Sequence, residues 1–511
     1  MSAVLHPARV QDIAELRQLY FEVYGHGYPV PLGSDPAVMR RLITDGTAHW
    51  LTARTGGVLV GSAVVLTEPG SRIGKLVGLA VHPGHRGGGL ASRLTGAVCD
   101  EAFATGRLDS VYATVRVVTE GPQHVVVRNG FRPLGLLPNA VEVDGCETLA
   151  LFARYADGVL AHRAPVAHVP ERLSALLSAA GRGVGIDYSG VDHTDAPDAP
   201  CLLPDRQVHT DVGAGGADVA VEADGADRAV GADGADRADV PVGADRAGGQ
   251  IELIAAPAFV RRRFLELFPR ADARFFPLHT PNAVLVAGDG RFEAYADLDP
   301  VAGSCALVAV HPCPAAVAGA LETLIATVTR AGADYVEALL PLADAEALRV
   351  FLDSGFVPSA LYPAMRRVPE TGHDPVGDLD RDQCGEPGSP RGRAPCHDRG
   401  GAPGRPPGGD LDRDQCGEPG RLPGGDLDPN QCDEPGSPRG RTPGHDRGGA
   451  PGRPRAEDLG RDRFHDYVVL SRTSRQIDFR SAAVSPLLQP YLGAYLSAWT
   501  ATYLPLPEVS R

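Results

Sequence analysis

Ile13, Leu16, Tyr20 and Val23 recur at helical spacing, and Asp12 with Glu15 ahead of them reads as a D-x-x-E capping signature. The spacing predicts an amphipathic first helix. Residues 24–31, Y-G-H-G-Y-P-V-P, interrupt it with aromatic, glycine and proline positions before a shorter helical pattern around residues 38–43. β-rich runs at 49–54 and 58–66, separated by Thr55, Gly56 and Gly57, predict a hairpin. A third strand, 75–81, leads into three consecutive glycines, Gly87, Gly88 and Gly89. Beyond them Leu90, Leu94, Val98 and Ala102 repeat at i+4, the stripe of a helix with one buried face. Residues 109–117 read as a strand, 124–129 as a short helix ended by Gly130 and Phe131, and 141–155 as the last strand or strands. A helical segment at 170–180 leads out of this region.

The pattern then stops and returns. Residues 190–249 are largely Ala, Gly and Asp, with G-A-D-R beginning at Gly225, Gly234 and Gly243, and hold too little apolar surface to fold. From Ile251 the order of the first region is echoed. A-V-H-P at 80–83 recurs at 309–312, and G-F-R-P-L-G-L-L-P from Gly130 becomes G-F-V-P-S-A-L-Y-P from Gly355. Residues 283–287, a G-D-G turn and 292–298 repeat the hairpin, and 316–328 repeat the helix after the glycines. The glycines themselves are lost: Arg86, Gly89 and Ala91 fall on Ala315, Ala318 and Ala320. Residues 370–460 interrupt this second copy before a last strand at 466–470, with G-D-L-D-R-D-Q-C-G-E-P-G at Gly377 and Gly409 and a variant at Gly425. Asp378, Asp380 and Asp382 begin like a calcium loop, but Gln383 and Ser389 stand where glycine and a bidentate glutamate are needed. Cys384, Cys396, His397, Cys416 and Cys432 lack zinc-site spacing, so the insert is expected to be solvated, disordered and free of metal. Residues 487–503 read as a closing helix. The expected division is 1–156 and 250–369 as two folded domains, 157–189 as a helical connector, 190–249 and 370–460 as disordered segments, and 461–511 as the end of the second domain.

Composition narrows the partner. A net charge of −15 over 511 residues argues against a nucleic-acid or acidic-membrane surface, and a small soluble substrate is expected. No apolar run reaches the length of a membrane span and no signal segment opens the chain, so a cytoplasmic protein is expected. Nine scattered cysteines fit reduced thiols. Lys75 is the only lysine, a bias that fits GC-rich coding. The oligomeric state is left open.

The glycine run carries the chemistry. Its backbone N–H groups and the positive end of the helix from Leu90 would converge on an anion such as pyrophosphate. A dinucleotide fingerprint is a poorer fit, since Gly87 to Ser92 lacks its final glycine. With Val81, His82 and Pro83 closing the strand and Arg86, Gly89 and Ala91 following, the stretch resembles the acyl-CoA-binding motif of the GNAT superfamily of N-acetyltransferases. That resemblance implies an α/β (α+β) fold of two GNAT-like domains, each a mixed, mainly antiparallel sheet flanked by helices. It implies acetyl-CoA as co-substrate, held by Leu79, Val81, Arg86, Gly87, Gly88, Gly89, Leu90, Ala91 and Ser92. It also implies that the loop after the first helix walls the acceptor site, which makes Tyr24, Tyr28 and His26 candidates there; the tyrosines would otherwise pack between helix and sheet.

The second half of the motif departs from the family. Val126 occupies the position of the tyrosine that many members use to protonate the leaving thiolate, and Thr119 replaces an asparagine. His82, Glu120 and His124 are the remaining proton-accepting candidates by side-chain pKa, with His82 and Glu120 as the catalytic pair and His124 nearer the substrate. His82 recurs as His311 in the copy without the glycines, which favours a structural role for it. V-T-E-G-P-Q at 118–123 and Y-P-V-P from Tyr28 are similar to bacterial acetyltransferases acting on β-lysine, implying a small amino-acid-like amine. A non-catalytic acyl-CoA sensor is the alternative function.

Overall fold

The structure is a computed structural model and describes residues 3–25, 31–142, 145–193, 250–270, 278–368, 462–479 and 482–504. His26, Tyr28, nearly all of the Ala/Gly/Asp-rich stretch and the whole of the second low-complexity segment, 370–460, lie outside these residues.

The first half forms strands β1 (Val4–Pro7), β2 (Ala48–Thr55), β3 (Val58–Thr67), β4 (Ile73–Val81), β5 (Ser110–Arg116), β6 (Arg132–Glu142) and β7 (Cys146–Tyr155). Its helices are α1 (Ile13–Tyr24), α2 (Pro36–Thr44), α3 (Leu90–Ala104), α4 (Glu120–Arg128) and α5 (Ser174–Ala180). The second half supplies β8 (Ile251–Ile254), α6 (Pro257–Leu267), β9 (Ala283–Ala287), β10 (Glu293–Asp299), β11 (Ser304–His311), α7 (Leu321–Arg330), β12 (Tyr335–Pro341), α8 (Ala345–Asp353), β13 (Val357–Val368), β14 (Arg463–Thr473) and α9 (Gln489–Tyr503).

All fourteen strands join one sheet in the order β1-β2-β3-β4-β5-β7-β6-β13-β14-β12-β11-β10-β9-β8. Outward from the β6–β13 seam, each strand of the second half occupies the place of the strand seven earlier in the first. The expected mixed, mainly antiparallel sheet flanked by helices is what forms, with parallel pairing at β4–β5 and β11–β12. The seam is narrow: one pair, Ala360 with Gly135, joins β13 to β6. A Cβ on Gly135 would stand 2.3 Å from the Ala360 Cα and from the Ser359 carbonyl oxygen, so only glycine permits the approach.

One apolar core runs through both halves, and a smaller one, with Leu16, Leu19, Tyr20, Met39, Trp50 and Val64, lies beneath α1 and α2. Each fully buried side chain of this size contributes roughly 1.5–3 kcal/mol relative to exposure. Local signals place the ends of the elements. Asp35 caps α2 by accepting the Ala37 N–H at 2.7 Å, with Pro36 in the first turn. Asp12 and Glu15 do not cap α1 as their spacing predicts. Asp12 accepts the Arg9 N–H at 2.8 Å, and both carboxylates bind the Arg54 guanidinium, at 2.7 and 2.8 Å. The hydrogen bond from Arg54 holds the Glu15 carboxyl below its ordinary value.

The tails of the two halves cross. After β7 the chain runs over the second half, where Arg172 donates to the Leu352 carbonyl at 2.7 Å and Arg163 reaches Asp466 on β14. Asp466 is fully enclosed. Its carboxylate accepts Arg163 Nε at 2.8 Å, the Tyr188 hydroxyl at 2.8 Å and the Ala364 N–H at 2.8 Å. After β14 the chain returns to the first half. There the Ala483 N–H donates to the Val117 carbonyl at 2.6 Å, and buried Gln123 of α4 grips both the Ala483 carbonyl and the Ser485 N–H. The Tyr491 hydroxyl of α9 then donates to the Pro133 carbonyl at 2.6 Å. No helix among the described residues is long and apolar enough to cross a membrane, and the four described cysteines, Cys99, Cys146, Cys305 and Cys313, are free thiols.

Candidate functional site

β4 and β5 start as a parallel pair but separate at once. Their ladder covers only Ile73 to Lys75 against Ser110 to Tyr112, so the second half of β4 faces an open wedge. On its other edge β4 carries a bulge: Ser62 pairs with Ala80 and Val64 with Val77, which sets Gly78 and Leu79 against Ala63 alone. Gly78 adopts φ +60 there, and a Cβ would lie 2.6 Å from the Tyr20 hydroxyl. The two tyrosines of α1 hold the displaced backbone. Tyr20 donates to the Gly78 carbonyl at 2.9 Å and Tyr24 to the Leu79 carbonyl at 2.6 Å. Burial raises the Tyr24 phenol above its ordinary value, against the opposite pull of Arg86 and Arg116. Tyr24 thus stands at the mouth of the wedge with two arginines within electrostatic reach.

Past Val81 the chain makes a short 3-10 turn, Pro83–His85, and then the glycine run. Gly87 and Gly89 lie at φ +84 and +73, conformations that L side chains resist, and no atom lies within 4 Å of a Cβ built on any of the three glycines. Gly89 is the N-cap of α3 and offers no side chain to its first turn. The first helical bond is Arg93 N–H to the Gly89 carbonyl, at 3.1 Å, so the N–H groups of Leu90, Ala91 and Ser92 point out of the helix end. Leu90 is buried and anchors that end, whereas Ser92 accepts a 3.0 Å hydrogen bond from Asn129, which ties α3 to α4. Arg86 folds back so that its Nε donates to the Val81 carbonyl at 3.2 Å, leaving its terminal nitrogens beside the turn. Wedge, bulge, arginine and open amides therefore adjoin one another, an arrangement suited to an anion at the turn and an extended acyl chain along β4.

The same place in the second half is built differently. Pro314 to Val317 form a 3-10 turn with Pro314, Ala315 and Val317 buried, which makes α7 begin at Leu321, later than its pattern predicts. One glycine, Gly319 at φ +71, precedes α7 in place of the run of three, and the first helical bond is Leu324 N–H to the Ala320 carbonyl at 2.9 Å.

The proton-transfer candidates scatter. His82 Nδ1 accepts the Gly84 N–H at 3.1 Å, which puts the ring proton on Nε2, 3.5 Å from Glu22. Glu22, in the last turn of α1, carries no sequence signal and is brought to His82 only by the packing of α1 on β4. Glu120 and His124 sit 3.8 Å apart on the exposed face of α4. Val126 is buried in the core and leaves no hydroxyl at its position. Among the described residues no group of three or more His, Cys, Asp or Glu side chains is placed to hold a metal ion.

Residues 11–131 match the model of the acetyltransferase (GNAT) family. Solved structures similar to this chain include a GNAT-family acetyltransferase from Streptococcus pneumoniae, 18% identical over 30% of this chain and 98% of that one, with a TM-score of 0.28. Others are a putative acetyltransferase from Salmonella typhimurium with acetyl-CoA, 19% identical over 32% and 98% with a TM-score of 0.29, and a phosphinothricin acetyltransferase from Sinorhizobium meliloti with acetyl-CoA, 19% identical over 30% and 89% with a TM-score of 0.28. No curated protein matches the chain. The stretch that matches the family model runs from the start of α1 to the end of α4 and contains the bulge, the glycine turn and Arg86.

Proposed function

We propose that the first half transfers an acetyl group from acetyl-CoA to an amine of a small amino-acid-like acceptor, the second half serving as a supporting copy that has lost the anion site. The observation that carries this reading is the open glycine turn at the N-terminus of α3, next to a wedge in which β4 has no β5 partner. Acetyl-CoA brings the activated acyl group. The amides of Gly87 to Ser92 and the Arg86 fork hold its phosphates, and the backbone of β4 from Leu79 to Val81 lines up the thioester. As the new N–C bond forms and the C–S bond breaks, one proton leaves the amine and one reaches the sulfur. Glu22, whose carboxylate faces the His82 Nε2–H, is placed to draw the amine proton with His82 as its partner.

Val126 provides no acid for the sulfur, which keeps the CoA-sensor reading as the second one. The two separate in a single assay series. Thermal shifts with CoA and acyl-CoAs are compared for the wild type, Arg86→Ala and Gly89→Pro, and thiol release is then followed with a panel of amines. Equal CoA-dependent shifts in all three proteins would remove the site; shifts without thiol release on any amine would leave the sensor.

A further inference from the structure

The sheet is strongly curved. β5 and β13 are three places apart in it, about 14 Å if it were flat, yet the Ser110 Oγ and Tyr362 hydroxyl lie 2.9 Å apart and the Tyr112 and Tyr362 rings 6.3 Å. The two halves therefore turn one concave face toward each other. Lys75 lies on it. Strand alternation puts Lys75 on the side of Val77, which packs beneath α1, and its ammonium sits over the Tyr112 ring at 5.6 Å. From the other half, Glu337 of β12 and Asp297 of β10 lie within electrostatic reach of it. Glu337 accepts the Tyr335 hydroxyl at 2.8 Å, and Asp297 lies 3.0 Å from His279 Nδ1.

These charges feel one another without meeting. Glu337 and Asp297 both act on Lys75, and His279 and Asp297 on Glu337. Yet among the described residues no acceptor lies within hydrogen-bond or ion-pair distance of the Lys75 ammonium; the Tyr112 ring is its contact. Burial lowers the Lys75 amine and raises the Glu337 carboxyl from their ordinary values, although both side chains keep some accessible surface. An enclosed ammonium with no acceptor is costly, and a charge-assisted partner would relieve it.

We propose that the concave face between the halves binds a small zwitterion, whose carboxylate meets Lys75 and whose ammonium meets Glu337 and Asp297, between walls of tyrosine. A simple anion would satisfy Lys75 but face two carboxylates, and a simple amine the reverse. The tyrosine rings suit an ammonium as well. This inference stands apart from acetyl transfer, and its test uses no acyl-CoA.

Because Lys75 is the only lysine, full-length chain grown on [ε-13C]lysine gives one lysine signal, that of the proposed site. It is titrated with glycine, β-alanine, 4-aminobutyrate and 6-aminohexanoate, which carry the two charges at increasing separation, and with butyrate and butylamine as single-charge controls. One ω-amino acid should shift the signal with a midpoint at least roughly tenfold below both controls, the equivalent of one charge-assisted contact, and should raise the melting temperature at the same concentrations. In Lys75→Met, which removes an unpaired enclosed charge and so retains the fold, that thermal shift should disappear. In Glu337→Gln the preference over butyrate should fall about tenfold. If no ω-amino acid outdoes the controls, or if Lys75→Met keeps the thermal shift, the proposal is overturned, whatever the fate of the acetyl-transfer reading.

Discussion

Replacing the three glycines one at a time by alanine separates the backbone of the turn from the space in front of it. Gly88 has no left-handed φ, and no atom lies within 4 Å of its would-be Cβ. Gly88→Ala therefore costs the fold nothing and, by restricting the unfolded chain, should stabilise it by about 0.4–1 kcal/mol. The new methyl projects where a phosphate would approach the amides, so CoA affinity should fall by about 1.5–3 kcal/mol, the worth of a hydrogen bond to a charged group, or roughly ten- to hundredfold. Gly87→Ala and Gly89→Ala also meet open space but inherit φ +84 and +73, a strain of about 1–2 kcal/mol each. They should lower both stability and CoA affinity. Urea unfolding gives the first quantity and calorimetric titration with CoA the second. The outcome to look for is a Gly88→Ala protein that is as stable as the wild type and binds poorly. Should all three variants bind CoA within about twofold of the wild type, the amides of this turn do not hold its phosphates.

Asp466→Ala strands the Arg163 guanidinium, the Tyr188 hydroxyl and the Ala364 N–H around a fully enclosed gap; urea unfolding should show a loss of about 3–5 kcal/mol, most of which the apolar pair Asp466→Leu with Arg163→Met should restore. Gly135→Ala drives a methyl into the seam against Ala360, and the same measurement should report a cost of about 1–3 kcal/mol or more. Lys75, facing Glu337, Asp297 and Tyr112, has its amine depressed by burial. Between its folded and ordinary values the unfolded chain binds more protons, so this residue's destabilisation is full below the folded value and fades as pH rises toward the ordinary one. Lys75→Met should accordingly raise the melting temperature most near neutral pH and least in strong alkali.

The strands that a reader of the sequence finds are those with uninterrupted apolar runs, such as β3 and β4. β6 starts earlier than its pattern shows, because Pro133 and Gly135 look like loop punctuation, whereas Gly135 is the point where the second half approaches. β1 and α6 are too short or too polar to stand out from sequence alone; contacts in the assembled sheet supply what local propensity lacks. The candidate anion site is legible because its parts are local: a strand end, an arginine, three glycines and a helix within twenty residues. Asp12 and Glu15 show the opposite case, a capping pattern overridden by Arg54, some forty residues away. Glu22 beside His82 and Lys75 across from Glu337 belong to the same class, since what brings those residues together is the packing of elements that spacing along the chain does not encode. Tyr28 and His26, the candidates for walling the acceptor site, lie outside the described residues.

The crossing of the tails has a consequence for how the chain comes into being. The segment bearing Arg163 and Tyr188 is synthesised with the first half, but its acceptor, Asp466, leaves the ribosome some 280 residues later; Gln123 waits still longer for Ala483 and Ser485. Until β14 and the residues after it emerge, α4 lacks its cover and Arg163 its carboxylate. The nascent first half is thus an unfinished object, and the two halves mature as one event at the end of translation. Split at any bond within residues 194–249, the two pieces should be found only as a pair, each supplying the strap that the other needs.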